Sequence, residues 1–141
     1  MAGRFAFTVD AEITSIPLVA DGIEDYLTSA GVDPAIVPDI ELAVDEVMTN
    51  IIMHGYRSRA GTIGITCVIG ERVVKVEIRD RAPEFNPLLL KEPDITAGID
   101  DRPVGGMGIY LVRKVMDAVS YEYLNGENVL TLEKKIPNNP E

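Results

Sequence analysis

The run Glu41-Leu42-Ala43-Val44-Asp45-Glu46-Val47-Met48-Thr49-Asn50-Ile51-Ile52-Met53-His54-Gly55-Tyr56 decides how this chain folds. At about 100° per residue, Ile40, Val44, Val47 and Ile51 fall on one apolar stripe, so the run reads as an amphipathic helix laid on a core. Glu46 and Asn50, four apart, stack beside that stripe, on its rim rather than on the solvated face. A carboxylate and a carboxamide placed there suit a hard cation and a proton transfer at the mouth of a pocket. From spacing alone the plainer reading is the commoner one: a solvated Glu and a mid-helix Asn that weakens its helix.

Upstream, Phe5, Phe7, Val9 and Ala11 alternate with polar or small neighbours, which predicts a strand with one buried face. Ser15 and Pro17 open a helix carried by Ile16, Val19, Ile23, Tyr26, Leu27 and Ala30 and stopped at Gly31. Asp33-Pro34 opens a second helical stretch, interrupted at Pro38, with its main body from about Asp39 to His54 and its end at Gly55. Downstream, residues 62–69 and the run Val73, Val74, Val76, Ile78 predict two strands about a turn at Gly70-Glu71. From Arg81 to Gly106 the periodicity dissolves, with prolines at 83, 87, 93 and 103, as expected of a lid or binding loop. A helix from about Met107 to Asp117 follows, then a hairpin, 119–124 and 128–134, around Asn125-Gly126, and a frayed tail from 137 to 141. This order fits an α+β fold of two layers, a sheet covered on one face by helices.

The chain has 141 residues, 46% of them hydrophobic, which suits one domain spanning 1–141. Thirteen basic against 23 acidic side chains give a net charge of −10, which disfavours nucleic acid and a polybasic membrane anchor. No apolar run reaches the roughly 18 residues a bilayer needs, and Met1-Ala2-Gly3-Arg4-Phe5 lacks the apolar core of a signal peptide. One cysteine, Cys67, forms no internal disulfide and builds no zinc site alone. The expectation is a soluble cytoplasmic domain.

Two further segments carry possible chemistry. In Asp80-Arg81-Ala82-Pro83-Glu84-Phe85-Asn86-Pro87, an acidic residue ends a strand just before a loop, placed either to accept a hydrogen bond from a ligand amine or simply to cap a turn. In Gly105-Gly106-Met107-Gly108-Ile109-Tyr110-Leu111-Val112, glycines open a helix, so backbone amides and the helix N-terminus could meet a phosphate; a flexible hinge is the other reading. This is no Walker loop, since no Gly-Lys-Ser/Thr follows, and no dinucleotide fingerprint, since Leu111 stands where the third glycine would fall.

Taken together, these three segments resemble the boxes of the GHKL ATPase superfamily, and within it the small bacterial anti-sigma factor serine/threonine kinases of the SpoIIAB and RsbW type. The resemblance runs from about Phe5 to Lys135. Glu46-x-x-x-Asn50-x-x-x-His54-Gly55-Tyr56 resembles the N box, Asp80 to Pro87 the first glycine box, and Gly105-Gly106-Met107-Gly108 with Leu111-Val112-Arg113-Lys114 the second. It implies a Bergerat-type ATP-binding fold with a mixed, mostly antiparallel sheet. It also implies roles: Asn50 would coordinate Mg²⁺ on the ATP phosphates, Glu46 would be the general base, and Asp80 would bind the adenine amino group. Ala82, Phe85, Gly105, Gly106, Met107 and Gly108 would complete the nucleotide site, with the amides of Gly106 and Gly108 on the phosphates and the 84–104 loop as lid. One departure stands out: the first box usually has glycine two residues after its Asp, where this chain has Ala82, whose methyl crowds the adenine pocket or requires φ < 0.

Other residues read as structural. His54, in the last turn before Gly55, suits the helix dipole. Cys67 reads as a packed thiol, Asp100-Asp101-Arg102 as a solvated charge cluster, and Tyr121 with Tyr123 as one face of a strand. The resemblance therefore implies an ATP- and Mg²⁺-dependent serine/threonine protein kinase that binds a sigma factor and phosphorylates a STAS-type anti-sigma factor antagonist. It also suggests a homodimer formed through the first helix and the opening strand. The alternatives are a non-catalytic, ATP/ADP-responsive module that sequesters a partner, and a purely structural interaction domain.

Overall fold

The computed structural model describes residues 3–89 and 106–137. Its strands are β1 (Gly3–Asp10), β2 (Thr62–Ile69), β3 (Val73–Asp80), β4 (Ala118–Leu124) and β5 (Glu127–Lys135). Its α-helices are α1 (Ser15–Ser29), α2 (Val37–Asn50) and α3 (Gly106–Val115). The strands form one five-stranded sheet in the order β1-β2-β3-β5-β4. Every described ladder in it is antiparallel, within the α+β class expected.

Register follows from the alternation of apolar residues. Ile65 faces Ile78, which faces Leu130, and one step along Cys67 faces Val76, which faces Leu132. These side chains are buried, and Val19, Ile23 and Leu27 of α1, Ile40, Val44 and Val47 of α2, and Val112 of α3 join them in a single core. The helices therefore cover one face of the sheet. On β2 and β3, Thr66, Glu77 and Arg79 occupy the alternate positions, and the Arg79 guanidinium donates to Thr66 Oγ1 and pairs with Glu77. Gly64 leaves space for the guanidinium, since a Cβ on it would lie 2.8 Å from Arg79 Nη2.

Two boundaries differ from expectation. Pro38 does not interrupt the second helix but stands in its first turn, where a missing amide hydrogen costs no bond. The α-helix also ends at Asn50 rather than near His54. Residues Ile51–Gly55 form a π-helical turn, closed by the Tyr56 amide donating to Ile51 O over 2.8 Å. The wider turn carries the chain into Arg57 and Ser58, both with positive φ, 55° and 62°. Gly105 and most of the 84–104 loop, including Asp100-Asp101-Arg102, lie outside the described residues, as does the tail from 138.

Candidate functional site

The helix α2 places Glu46 and Asn50 half-buried at the rim of its apolar stripe, as the spacing predicted. Across from them runs the start of α3. A Cβ built on Gly108 would lie 2.9 Å from Glu46 Oε2, 3.4 Å from Asn50 Nδ2 and 3.5 Å from Asn50 Oδ1. The carboxylate, the carboxamide and the glycine-rich helix start, separated by some sixty residues of chain, thus occupy one spot. The absent side chain at 108 is what leaves room for both polar groups.

The second wall is built at the end of β3. Asp80 is buried, 6% exposed. Its Oδ1 accepts the Ala82 amide at 3.0 Å and Asn128 Nδ2 at 2.9 Å, which leaves Oδ2 for a ligand. Burial pushes the Asp80 carboxyl above its ordinary value; those two donors pull it part of the way back, and Glu127 pushes it up again. Ala82 keeps its methyl without strain, because its φ is not among the positive ones. The methyl instead packs against the turn after α2: a Cβ on Gly55 would come within 3.2 Å of Ala82 Cβ. Tyr56 tightens the same junction. Its hydroxyl accepts the Arg81 amide and donates to Thr62 O, each over 2.7 Å, fixing the chain next to Asp80.

Between these walls lies a cavity of about 220 Å³. It is lined by Asn50 and Ile51 from α2 and its π-helical turn, by Asp80 and Ala82 at the end of β3, and by Ile109 of α3 and Leu130 of β5. Its lining is mainly apolar, with Asn50, His54, Asp80, Tyr121 and Asn128 as its polar points. That is the usual make-up of a site for a flat, partly polar ligand. Phe85, half exposed, stands at its border.

The oxygen donors of Glu46 and Asn50, both beside Gly108, suit a hard divalent cation. Among the described residues no cluster of three or more His, Cys, Asp or Glu side chains could cage a metal ion. Water or phosphate oxygens would complete the shell of a magnesium ion held here.

Of the residues picked out in the sequence, the structure brings Glu46, Asn50 and Gly108 together, and Asn50 lines one cavity with Asp80, Ala82 and Phe85. Gly106 and Met107 have their backbone in the first turn of α3. Three polar lining residues were not anticipated as part of a site: His54, Tyr121 and Asn128. Asn128 carried one usable signal, a residue of low strand propensity near the start of a strand. Cys67 is buried and far from reactive, its thiol pushed up to about 12 by burial.

Comparison with known proteins bears on the family and the fold. The pattern of the histidine kinase-like ATPase domain matches residues 9–134. An anti-sigma F factor of Clostridium acetobutylicum is 29% identical over 112 residues, 73% of this chain and 73% of its own length. A serine-protein kinase RsbW of Bacillus mycoides is 30% identical over 96 residues, 65% of this chain and 60% of its own. A serine/threonine-protein kinase BtrW of Bordetella bronchiseptica is 32% identical over 94 residues, 66% of each. The chain thus spans 60% to 73% of these curated relatives. The crystal structure of the RsbU and RsbW domains of a Mycobacterium tuberculosis protein superposes with a TM-score of 0.65, over 95% of this chain and 32% of that one. At 18% identity, that likeness shows the fold.

Proposed function

Because this chain belongs to the histidine kinase-like ATPase domain family, matched over residues 9–134, we propose that it is an ATP-dependent serine/threonine protein kinase acting as an anti-sigma regulatory factor. The observation that carries this reading is the meeting of Glu46 and Asn50 at Gly108, with Asn50 also lining the cavity that holds Asp80. The kinase and anti-sigma factor names of the relatives support it.

In this reading Asp80 Oδ2 accepts from the adenine amino group, and Ala82 and Phe85 border the base. The backbone amides at Gly106 and Gly108, at the N-terminus of α3, face the phosphates. Gly105 and Met107 belong to the same glycine-rich run of sequence. Asn50 would hold Mg²⁺, which when bound offsets the charge of the phosphates. Glu46 takes the proton from the attacking Ser or Thr hydroxyl. The new bond joins that oxygen to the γ-phosphorus, the bond from the γ-phosphorus to the β,γ-bridging oxygen breaks, and ADP leaves. Positioning and one base suffice for such a transfer, so a small domain can perform it.

The partners are a sigma factor, which the protein sequesters, and a STAS-type anti-sigma factor antagonist, which it phosphorylates. A homodimer through β1, which lies at the sheet edge, and α1, which exposes Leu18, completes the proposal. No helix among the described residues is long and apolar enough to cross a membrane, and we place the protein in the cytoplasm.

The decisive experiment incubates the protein with γ-labelled ATP, Mg²⁺ and a STAS-type antagonist. Label moves to a Ser or Thr of the antagonist with the native chain and stops with Glu46→Ala, which still binds Mg-ADP. Nucleotide binding without any transfer by the native chain would replace the kinase with a non-catalytic, nucleotide-responsive binding module.

A further inference from the structure

Asn128 lies on β5 directly opposite Asp80 in the β3–β5 register, and it is buried, 6% exposed. Its Nδ2 donates to Asp80 Oδ1 at 2.9 Å, to Ala82 O at 3.1 Å and to Pro83 O at 3.2 Å. Its Oδ1 accepts the Phe85 amide at 3.0 Å and the Tyr121 hydroxyl. A carboxamide has two hydrogens to give and two lone pairs to fill, so this one is saturated and offers nothing to a ligand. Its orientation is also fixed. The Phe85 N–H must meet an oxygen, and the Ala82 and Pro83 carbonyls must meet an N–H.

We propose that Asn128 is a positioning residue that makes the cavity select a 6-amino purine over a 6-oxo purine, by occupying Oδ1 of Asp80 and leaving Oδ2 as its free acceptor. Tyr121 holds the carboxamide in place. The inference rests on the nucleotide-site reading above and extends it to the origin of base selectivity.

Oδ1 of Asp80 already receives two N–H donors, so a proton must go to Oδ2. Ionised, Oδ2 accepts from an exocyclic amino group; protonated, it donates to an exocyclic carbonyl instead. The protonation state of one buried carboxyl therefore decides which base is held. Burial and Glu127 favour the protonated form, while Asn128 and the Ala82 amide favour the ionised one. The Ala82 amide is backbone and survives any substitution, which leaves Asn128 as the side chain that sets the balance. The other titratable groups nearby are Tyr121 on β4, Glu84 on the loop after β3, and His54 on the cavity wall, while Glu127 itself lies 3.7 Å from Arg81.

Calorimetric titration of the whole chain with Mg-ADP and with Mg-inosine diphosphate, between about pH 5 and pH 8, tests this. The native protein should prefer ADP by at least about tenfold near neutrality, with the preference shrinking on acidification. In Asn128→Ala the preference should fall below about threefold, and the loss of ADP affinity should begin at a higher pH than in the native chain. Tyr121→Phe, which removes one hydroxyl and keeps the ring, should fold normally and show the same changes in smaller degree. Unchanged preference and pH profile in Tyr121→Phe and Asn128→Ala, or an equal loss of both nucleotides, would overturn the role of Asn128 alone. Failure of the native chain to bind either nucleotide would overturn the nucleotide site itself.

Discussion

Glu46 and Gly108 face each other so closely that a methyl group on the glycine would sit 2.9 Å from the Glu46 carboxylate oxygen. The clash falls on the far end of a flexible side chain, which can swing aside. Alanine also favours a helix over glycine by about 0.5–1 kcal/mol. Gly108→Ala should therefore keep or slightly raise the thermal midpoint while displacing the base. Phosphoryl transfer should drop at least about tenfold, roughly 1.4 kcal/mol in the barrier. Native transfer rates in this variant would show that Glu46 can reach its proton from another position.

Asn50 sits one helical turn from Glu46, yet its loss should read differently. Asn50→Ala removes an oxygen donor for the cation and should weaken Mg-ADP binding at least about tenfold, about 1.4 kcal/mol. Metal-free ADP should bind the variant and the native chain alike. Calorimetry with and without Mg²⁺ separates the two effects.

Asp80 binds its proton more tightly folded than unfolded, because burial raises its pKa. The stability that this group contributes is full in acid and is lost as pH rises from the ordinary aspartate value through the raised one. At neutral pH the fold thus carries a buried anion at some cost. Asp80→Asn removes the charge while its carbonyl still accepts from Ala82 and Asn128. The variant should melt a few degrees higher than the native chain at pH 7, and the gap should close below about pH 4. ADP should no longer raise its melting temperature. Melting curves across this range, with and without ADP, check both parts.

Cys67 is sealed between Ile65 and Ile69 in β2, and its thiol is pushed up to about 12. A thiol reagent at about pH 8 should leave the folded protein unlabelled and react once denaturant opens it. Stability should fall as pH rises past the ordinary thiol value of about 8.5, since only the unfolded chain then loses the proton. In Cys67→Ala that alkaline decline should be shallower.

Much of the architecture was legible because it depends on local periodicity. The stripe through Ile40, Val44 and Val47 and the alternation in residues 62–69 specify which face is buried, and a sheet under helices follows. Pro38 misled for a local reason: proline breaks a helix interior but starts a helix well, and the sequence pattern did not say which turn it occupied. The end of α2 was missed because a π-helical turn keeps nearly the same apolar spacing as an α-helix while shifting the hydrogen bond by one residue.

The chain alone determined its α+β class, its antiparallel hairpins and the presence of three polar or glycine-rich boxes, since each needs only neighbours within a turn or two. The tertiary structure alone decided what those boxes face. Asp80 is held by an asparagine 48 residues away, and Ala82 meets a glycine at the end of another helix. Side chains so far apart in sequence meet only after the sheet and helices have packed. No pattern within one segment encodes the burial, the satisfied hydrogen bonds and the shifted charge that result.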